Sequence, residues 1–138
     1  MNLLMNDRPR FETDRFIVIL LTPSDARRLL EVLLQDEPLA ARVPWLNDKT
    51  QDGALQEAYA IGLQAAAGTI KVWGIFSKEL QEQVGAMIAR NTPEGIDVEA
   101  LVASRYWSNE VIEEASEPLM EWLEENSEVI DTIPTLLH

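Results

Sequence analysis

Apolar residues along this chain fall into strand-length runs and helix-period stripes. Phe16 to Leu21 (Phe-Ile-Val-Ile-Leu-Leu) is a continuous, β-branched run that stops at Thr22-Pro23 and predicts a buried strand. Thr22 then predicts an N-cap, with Pro23 at the first helical position and Asp25 in the first turn. A helix from Pro23 to Gln35 puts Ala26, Leu29, Leu30, Leu33 and Leu34 on one face and Arg27, Arg28 and Glu31 on the other, the pattern of a helix packed on a sheet. Beyond Pro38 and Pro44, the residues Leu55, Ala58, Tyr59, Ile61, Gly62 and Ala65 define the inner face of an alanine-rich helix over 52–67, ended by Gly68.

Three strands are predicted next, over 70–77, 83–90 and 96–103. Ile70, Val72, Gly74 and Phe76 alternate with Lys71, Trp73, Ile75 and Ser77. Polar turns at 78–82 and 91–95 would close an antiparallel meander. A last amphipathic helix over 109–125 turns Val111, Ile112, Ala115, Leu119, Trp122 and Leu123 inward, and Pro118 is expected to bend or interrupt it. Glu128 to Ile133 predicts one more short strand before Pro134. The expected architecture is a single α+β domain over 11–138 behind a flexible leader at 1–10.

Composition narrows the function. The chain has 138 residues and a formal charge of −13, and residues 106–138 carry nine carboxylates without one Lys or Arg. Nucleic acid is not an expected partner, because duplex binding needs clustered cations to displace counterions. The absence of cysteine excludes disulfides, thiolate metal sites and a cysteine nucleophile. No secretory leader or membrane-length apolar run is visible, so a cytoplasmic protein is expected. His138 is the sole histidine and terminal, which argues against a His-based triad or a His-rich metal site, and no metal is expected.

Specific wording appears at Phe11-Glu12-Thr13-Asp14-Arg15-Phe16 and Leu21-Thr22-Pro23-Ser24-Asp25-Ala26. It resembles the opening of the ribosomal-protein-alanine acetyltransferase branch of the GNAT superfamily, an E-T-D/E-R-L strand followed by an L-T-P-x-D-A link. Val43-Pro44-Trp45, Val72-Trp73-Gly74-Ile75 with Val84-Gly85-Ala86, Asp97 to Val102, and Arg105-Tyr106-Trp107 are similar to later family segments in the same order. Together these pieces cover residues 11 to 123. The resemblance implies a mostly antiparallel central sheet with helices on both faces, transferring an acetyl group from acetyl-CoA to an amine. Family members continue with a further helix and closing strands. The resemblance therefore implies a C-terminally shortened member, or a homodimer or protein partner that completes the sheet.

In that family the cofactor's pantetheine arm lies along backbone groups whose counterparts here are Leu101 and Val102. Its pyrophosphate sits on the loop W-G-R/K-G-Y-A at a helix N-terminus. Carried over, the first glycine is Ser108, the basic residue Asn109, the second glycine Glu110 and the small residue Ile112, with Val111 between them. Glycines let a backbone approach phosphates, and a helix dipole favours their charge. Ser108 and Glu110 add side chains, Asn109 removes a cation, and Glu110, Glu113 and Glu114 add negative charge, so the loop works against acetyl-CoA. The same residues suit a purely structural helix start, with Ser108 as N-cap and acids along the first turn. Among Glu12, Asp14, Asp97 and Glu99, the favoured general base is Glu99, whose strand leads to the expected cleft. Trp45, Trp73, Trp107 and Trp122 are expected in the core. Two functions follow: an amine acetyltransferase with weakened cofactor binding, or a non-catalytic interaction or dimerisation module of the same fold.

Overall fold

A computed structural model describes residues 10–46 and 51–126. The predicted last strand at 128–133, His138 and leader residues 1–9 lie outside them. Five antiparallel strands form one sheet in chain order: β1 (Arg10–Glu12), β2 (Phe16–Leu20), β3 (Ile70–Ser77), β4 (Glu82–Thr92) and β5 (Gly95–Val102). The strands β2 to β5 fall close to where the apolar runs put them. β1 was not separated from the leader by pattern alone, because three residues are too short to show a period. It forms by pairing Arg10 with Ile19 and Glu12 with Ile17 across a tight turn in which Thr13 N–H donates to Phe16 O at 2.8 Å.

Helix α1 (Pro23–Leu33) starts as read, with the Thr22 hydroxyl accepting from Asp25 N–H at 3.2 Å. Ala26, Leu30, Leu33 and Leu34 are buried, while Leu29 is half-buried. α1 packs beside α3 (Gln51–Ala67) over β3 and β4. On α3, Ala54, Ala58, Ile61 and Gly62 face inward. Leu55 and Tyr59, expected inside, are exposed, because a helix of mostly small uncharged residues has no sharp polar boundary to fix its inner face. Gly68, at φ +83°, closes α3 in the left-handed conformation that glycine adopts without a Cβ clash.

Helix α4 (Val111–Asn126) packs on β1, β2 and β5, with Phe11 and Trp122 in edge-to-face contact at 6.0 Å. Adjacent residues of β3 point to opposite faces, yet Val72, Trp73, Gly74 and Ile75 are all buried. Both faces of the sheet are therefore covered, as expected of a sheet with helices on both faces, and burial along β3 is continuous. Pro118 does not interrupt α4, which runs on to Asn126; the Glu114 carbonyl simply loses its i+4 donor.

The sequence did not announce α2 (Glu37–Arg42). Asp36 caps it, accepting from Leu39 N–H at 3.1 Å, and Pro38 sits in its first turn. The same carboxylate accepts from Ser104 N–H at 2.8 Å and Ser104 Oγ at 3.0 Å, so it ties α2 to the end of β5. Burial alone would raise the Asp36 carboxyl, but the hydrogen bonds from Ser104 and Leu39 outweigh it and hold it below the usual range.

Candidate functional site

β5 has a single strand neighbour, β4, among the described residues, so its other edge is open. Ala103 N–H donates to Val84 O at 2.9 Å, which sets the phase of the ladder. In an antiparallel pair the backbone groups alternate between partner and free edge, so those of Leu101 and Glu99 turn to β4 and those of Val98, Ala100 and Val102 turn outward. The backbone of Leu101, expected on the cleft, instead lies against Gly85. A Cβ at that glycine would sit 2.6 Å from Leu101 O. The Val102 carbonyl accepts from Trp107 Nε1 at 2.8 Å.

After β5 the chain makes a 3₁₀ helix over Ser104–Asn109 and then α4. Glu110 lies between them at φ 53°, ψ 39°, a left-handed conformation that costs a non-glycine residue on the order of 1 kcal/mol. This is the position that the family resemblance matched to the second glycine. Ser108 is not the N-cap: it lies inside the 3₁₀ helix, and its hydroxyl donates to Asn109 Oδ1 at 3.3 Å. Ile112 is 42% exposed instead of packed inward, while its neighbour Val111 is buried.

Arg15 and Glu114 fix this junction. Glu114 accepts from Arg15 Nε at 2.6 Å, from Arg15 N–H at 3.0 Å and from Thr13 Oγ1 at 2.5 Å. Arg15 Nη2 also donates to Asn109 O at 2.7 Å. Burial would raise the Glu114 carboxyl, but the bonds from Thr13 and Arg15 prevail and lower it. Glu114 is thus committed to holding the β1–β2 turn onto α4.

A cavity of about 270 Å³ opens along the free edge of β5, walled by Leu39, Arg42 and Val43 near α2, by Glu99 to Val102, and by Trp107 and Val111 to Glu113. It brings Leu101, Val102, Val111 and Ile112 together with Glu99; Ser108, Asn109 and Glu110 do not line it. Among the described residues, no acceptor takes the backbone N–H groups of Val111, Ile112 and Glu113, as is usual for a helix start without a side-chain cap. Glu99 accepts from Trp45 Nε1 at 3.0 and 3.1 Å and from Arg90 Nη1 at 2.9 Å. Trp45 is half-buried in this role, and Trp107 forms cavity wall; Trp73 alone of the four is fully enclosed. The other carboxylates considered as bases stand elsewhere: Glu12 is paired with Lys78 at 2.6 Å, Asp14 lies in the β1–β2 turn, and Asp97 is exposed beside Arg90 on the ladder.

The cavity suits an extended, amide-bearing arm: outward backbone groups of Ala100 and Val102 on one side, apolar Leu39, Val43 and Val111 on the other. For a diphosphate the fit is mixed. The open N–H groups of α4 favour an anion, while Glu113 at the rim and Glu110 beside it oppose one. Two unit charges about 4 Å apart repel by about 1 kcal/mol in water and about 4 kcal/mol at an effective dielectric of 20. Sequence reasoning missed Leu39, Arg42 and Val43 as wall residues because α2 was not anticipated. Asp36 followed by Pro38 was the available signal, a cap with proline in the first turn.

A larger cavity, about 630 Å³, lies beside α1 between Leu29, Val32 and Leu33 and the Gln83, Ala103 and Arg105 side. It touches neither the free edge of β5 nor the start of α4. Among the described residues there is no group of acids and histidines arranged to hold a metal, and no helix is long and apolar enough to cross a membrane.

No family model matches the sequence, and no curated protein matches it. Solved structures do. The chain is similar to a candidate ribosomal-protein-serine acetyltransferase from Vibrio cholerae, with 22% identity, TM-score 0.61, and coverage of 88% of this chain and 70% of that one. It is similar to the ribosomal-protein-S5-alanine acetyltransferase from Vibrio fischeri, with 17% identity, TM-score 0.60 and the same coverage. It is also similar to RimL, the ribosomal L7/L12 α-N-protein acetyltransferase, in complex with coenzyme A, with 12% identity, TM-score 0.65, and coverage of 88% and 71%. The fold is that of the GNAT acetyltransferases.

Proposed function

We propose that this chain is a GNAT-fold acetyltransferase domain with weakened cofactor binding, which acetylates an amine in the cleft along β5. The observation that carries this is the cleft itself: an open strand edge, with the outward backbone groups of Ala100 and the outward N–H of Val102, leading to a helix start whose N–H groups at Val111 to Glu113 are unclaimed among the described residues. Acetyl-CoA, when bound, supplies the acetyl group as a thioester. The arm would lie against Ala100 and Val102, with Leu39 and Val43 excluding water. Ser108, Asn109 and Glu110 stand at the nucleotide end as the altered counterparts of the family loop, and the acids there lower affinity.

Glu99 is the proposed acceptor of the proton that the attacking amine gives up. It is the cavity carboxylate held in place by partners, Trp45 and Arg90, and it keeps a lone pair on Oε2 that Arg90 does not use. The Glu99→Gln variant is expected to lose about 10²-fold or more in acetyl transfer, measured as thiol release with an amine acceptor, while donor affinity changes little. Unchanged turnover would remove Glu99 from this role.

A second reading, a non-catalytic module acting by protein contacts or as a homodimer across the open β5 edge, is favoured by Glu110 and Glu113 flanking the phosphate position. Calorimetry with acetyl-CoA separates the two. Binding at or below about 100 μM supports the acetyltransferase, and silence up to millimolar concentration, with a dimer in light scattering, supports the module. A cytoplasmic location accords with either.

A further inference from the structure

Arg42 is, among the described residues, the one cation lining the cleft along β5. Among the described residues, Arg10, Arg15, Arg27, Arg90 and Arg105 each pair with a carboxylate, as Lys78 does. Arg28, Arg42 and Lys71 pair with no described carboxylate, and of these three only Arg42 lines the cleft along β5. Its guanidinium lies over the Trp107 ring, 4.1 Å from its centroid. Its position is fixed from below as well. Trp107 is anchored by its bond to Val102 O, and α2 is anchored to Ser104 through Asp36.

We infer that Arg42 is the anion-recognising residue of the cleft and that it takes a phosphate of the nucleotide-bearing thioester donor, supplying from α2 the cation that the loop lacks at Asn109. This rests on the acetyltransferase reading above and deepens it. The cavity that Arg42 lines also holds the start of α4 with its open donors at Val111 to Glu113, so a phosphate there meets backbone N–H groups on one side and a guanidinium on the other. Glu113 borders the same space and is the group Arg42 would have to outweigh. Glu99, which also lines the cavity, is paired with Arg90 and not with Arg42. Stacking on Trp107 matters for the same reason: it holds the planar fork at the cleft, where a lysine would swing free.

The test is calorimetry on the intact chain with acetyl-CoA and with S-acetylpantetheine, which has the same arm and thioester but no phosphate. The Arg42→Ala variant is expected to weaken acetyl-CoA about tenfold and leave S-acetylpantetheine within about twofold, and Arg42→Lys to recover only part of the loss. Equal weakening of both ligands, or of neither, overturns the inference while the acetyltransferase reading survives. If neither ligand binds the unmodified chain, that reading falls and takes the inference with it. A lower salt sensitivity of acetyl-CoA binding in Arg42→Ala is expected too; an unchanged salt dependence would count against a phosphate contact.

Discussion

Helices α1 and α4 begin in opposite ways. At α1 the Thr22 hydroxyl accepts from Asp25 N–H, and Pro23 needs no acceptor at the first position. At α4 no side chain among the described residues takes the first N–H groups, and the residue before them, Glu110, is held in a left-handed conformation. The start of α1 is closed by its own sequence and serves only to set a helix on the sheet. The start of α4 is held from outside, by Glu114 gripping Arg15 and Thr13, and its own donors are left over. A helix start that is stabilised without using its N–H groups is one that can spend them on a ligand.

This contrast can be broken by mutation. The largest effect is expected for Glu114→Ala, which removes the acceptor shared by Arg15 and Thr13 and should cost about 2 kcal/mol in urea unfolding, since part-buried bonds to a charged group are lost together. The same carboxylate gives α4 a pH signature. Its folded value lies below the ordinary one of about 4.3, so its contribution is complete above that pH and drains away as pH falls through the lowered value. Glu114→Gln should flatten the acid limb of the stability curve, and a curve of unchanged shape would show that the junction does not depend on this charge.

Thr22→Ala should cost less, about 1 kcal/mol, with no change in pH dependence, because a hydroxyl cap does not titrate in this range. If its cost exceeded that of Glu114→Ala, the supposed difference between a self-closed and an externally held helix start would be reversed. The smallest effect is expected for Glu110→Gly, a gain of about 0.5 to 1 kcal/mol from relief of the left-handed strain. A loss of stability there would mean that the Glu110 side chain contributes more than its conformation costs.

The two starts also differ in how far the sequence revealed them. Thr22, Pro23 and Asp25 carry their roles in their chemistry, so α1 was legible from its first residues. Glu110 carries nothing that predicts positive φ, and only its match to a family glycine drew attention to the position. Ser108 looked like a cap because serine caps helices, but the 3₁₀ turn over Ser104–Asn109 displaced the true start to Val111. The central strands were legible because β-branched runs need no partner to be recognised. The cleft was only half legible: its floor on β5 lies within a predicted strand, whereas its other wall comes from α2, whose six residues are too few to show a period. Arg42 becomes conspicuous only when the cleft that it lines and the Trp107 ring beneath it are known.

Trp107 gives the cleft an optical reporter of its own. Its indole N–H is engaged by Val102 O, its face carries the Arg42 guanidinium, and its ring forms part of the cavity wall, while Trp73 is sealed in the core. A guest laid along β5 would change the polarity and quenching around Trp107, and around Trp45 where it bonds Glu99, against the constant signal of Trp73, so intrinsic fluorescence can follow occupancy of this site without a label.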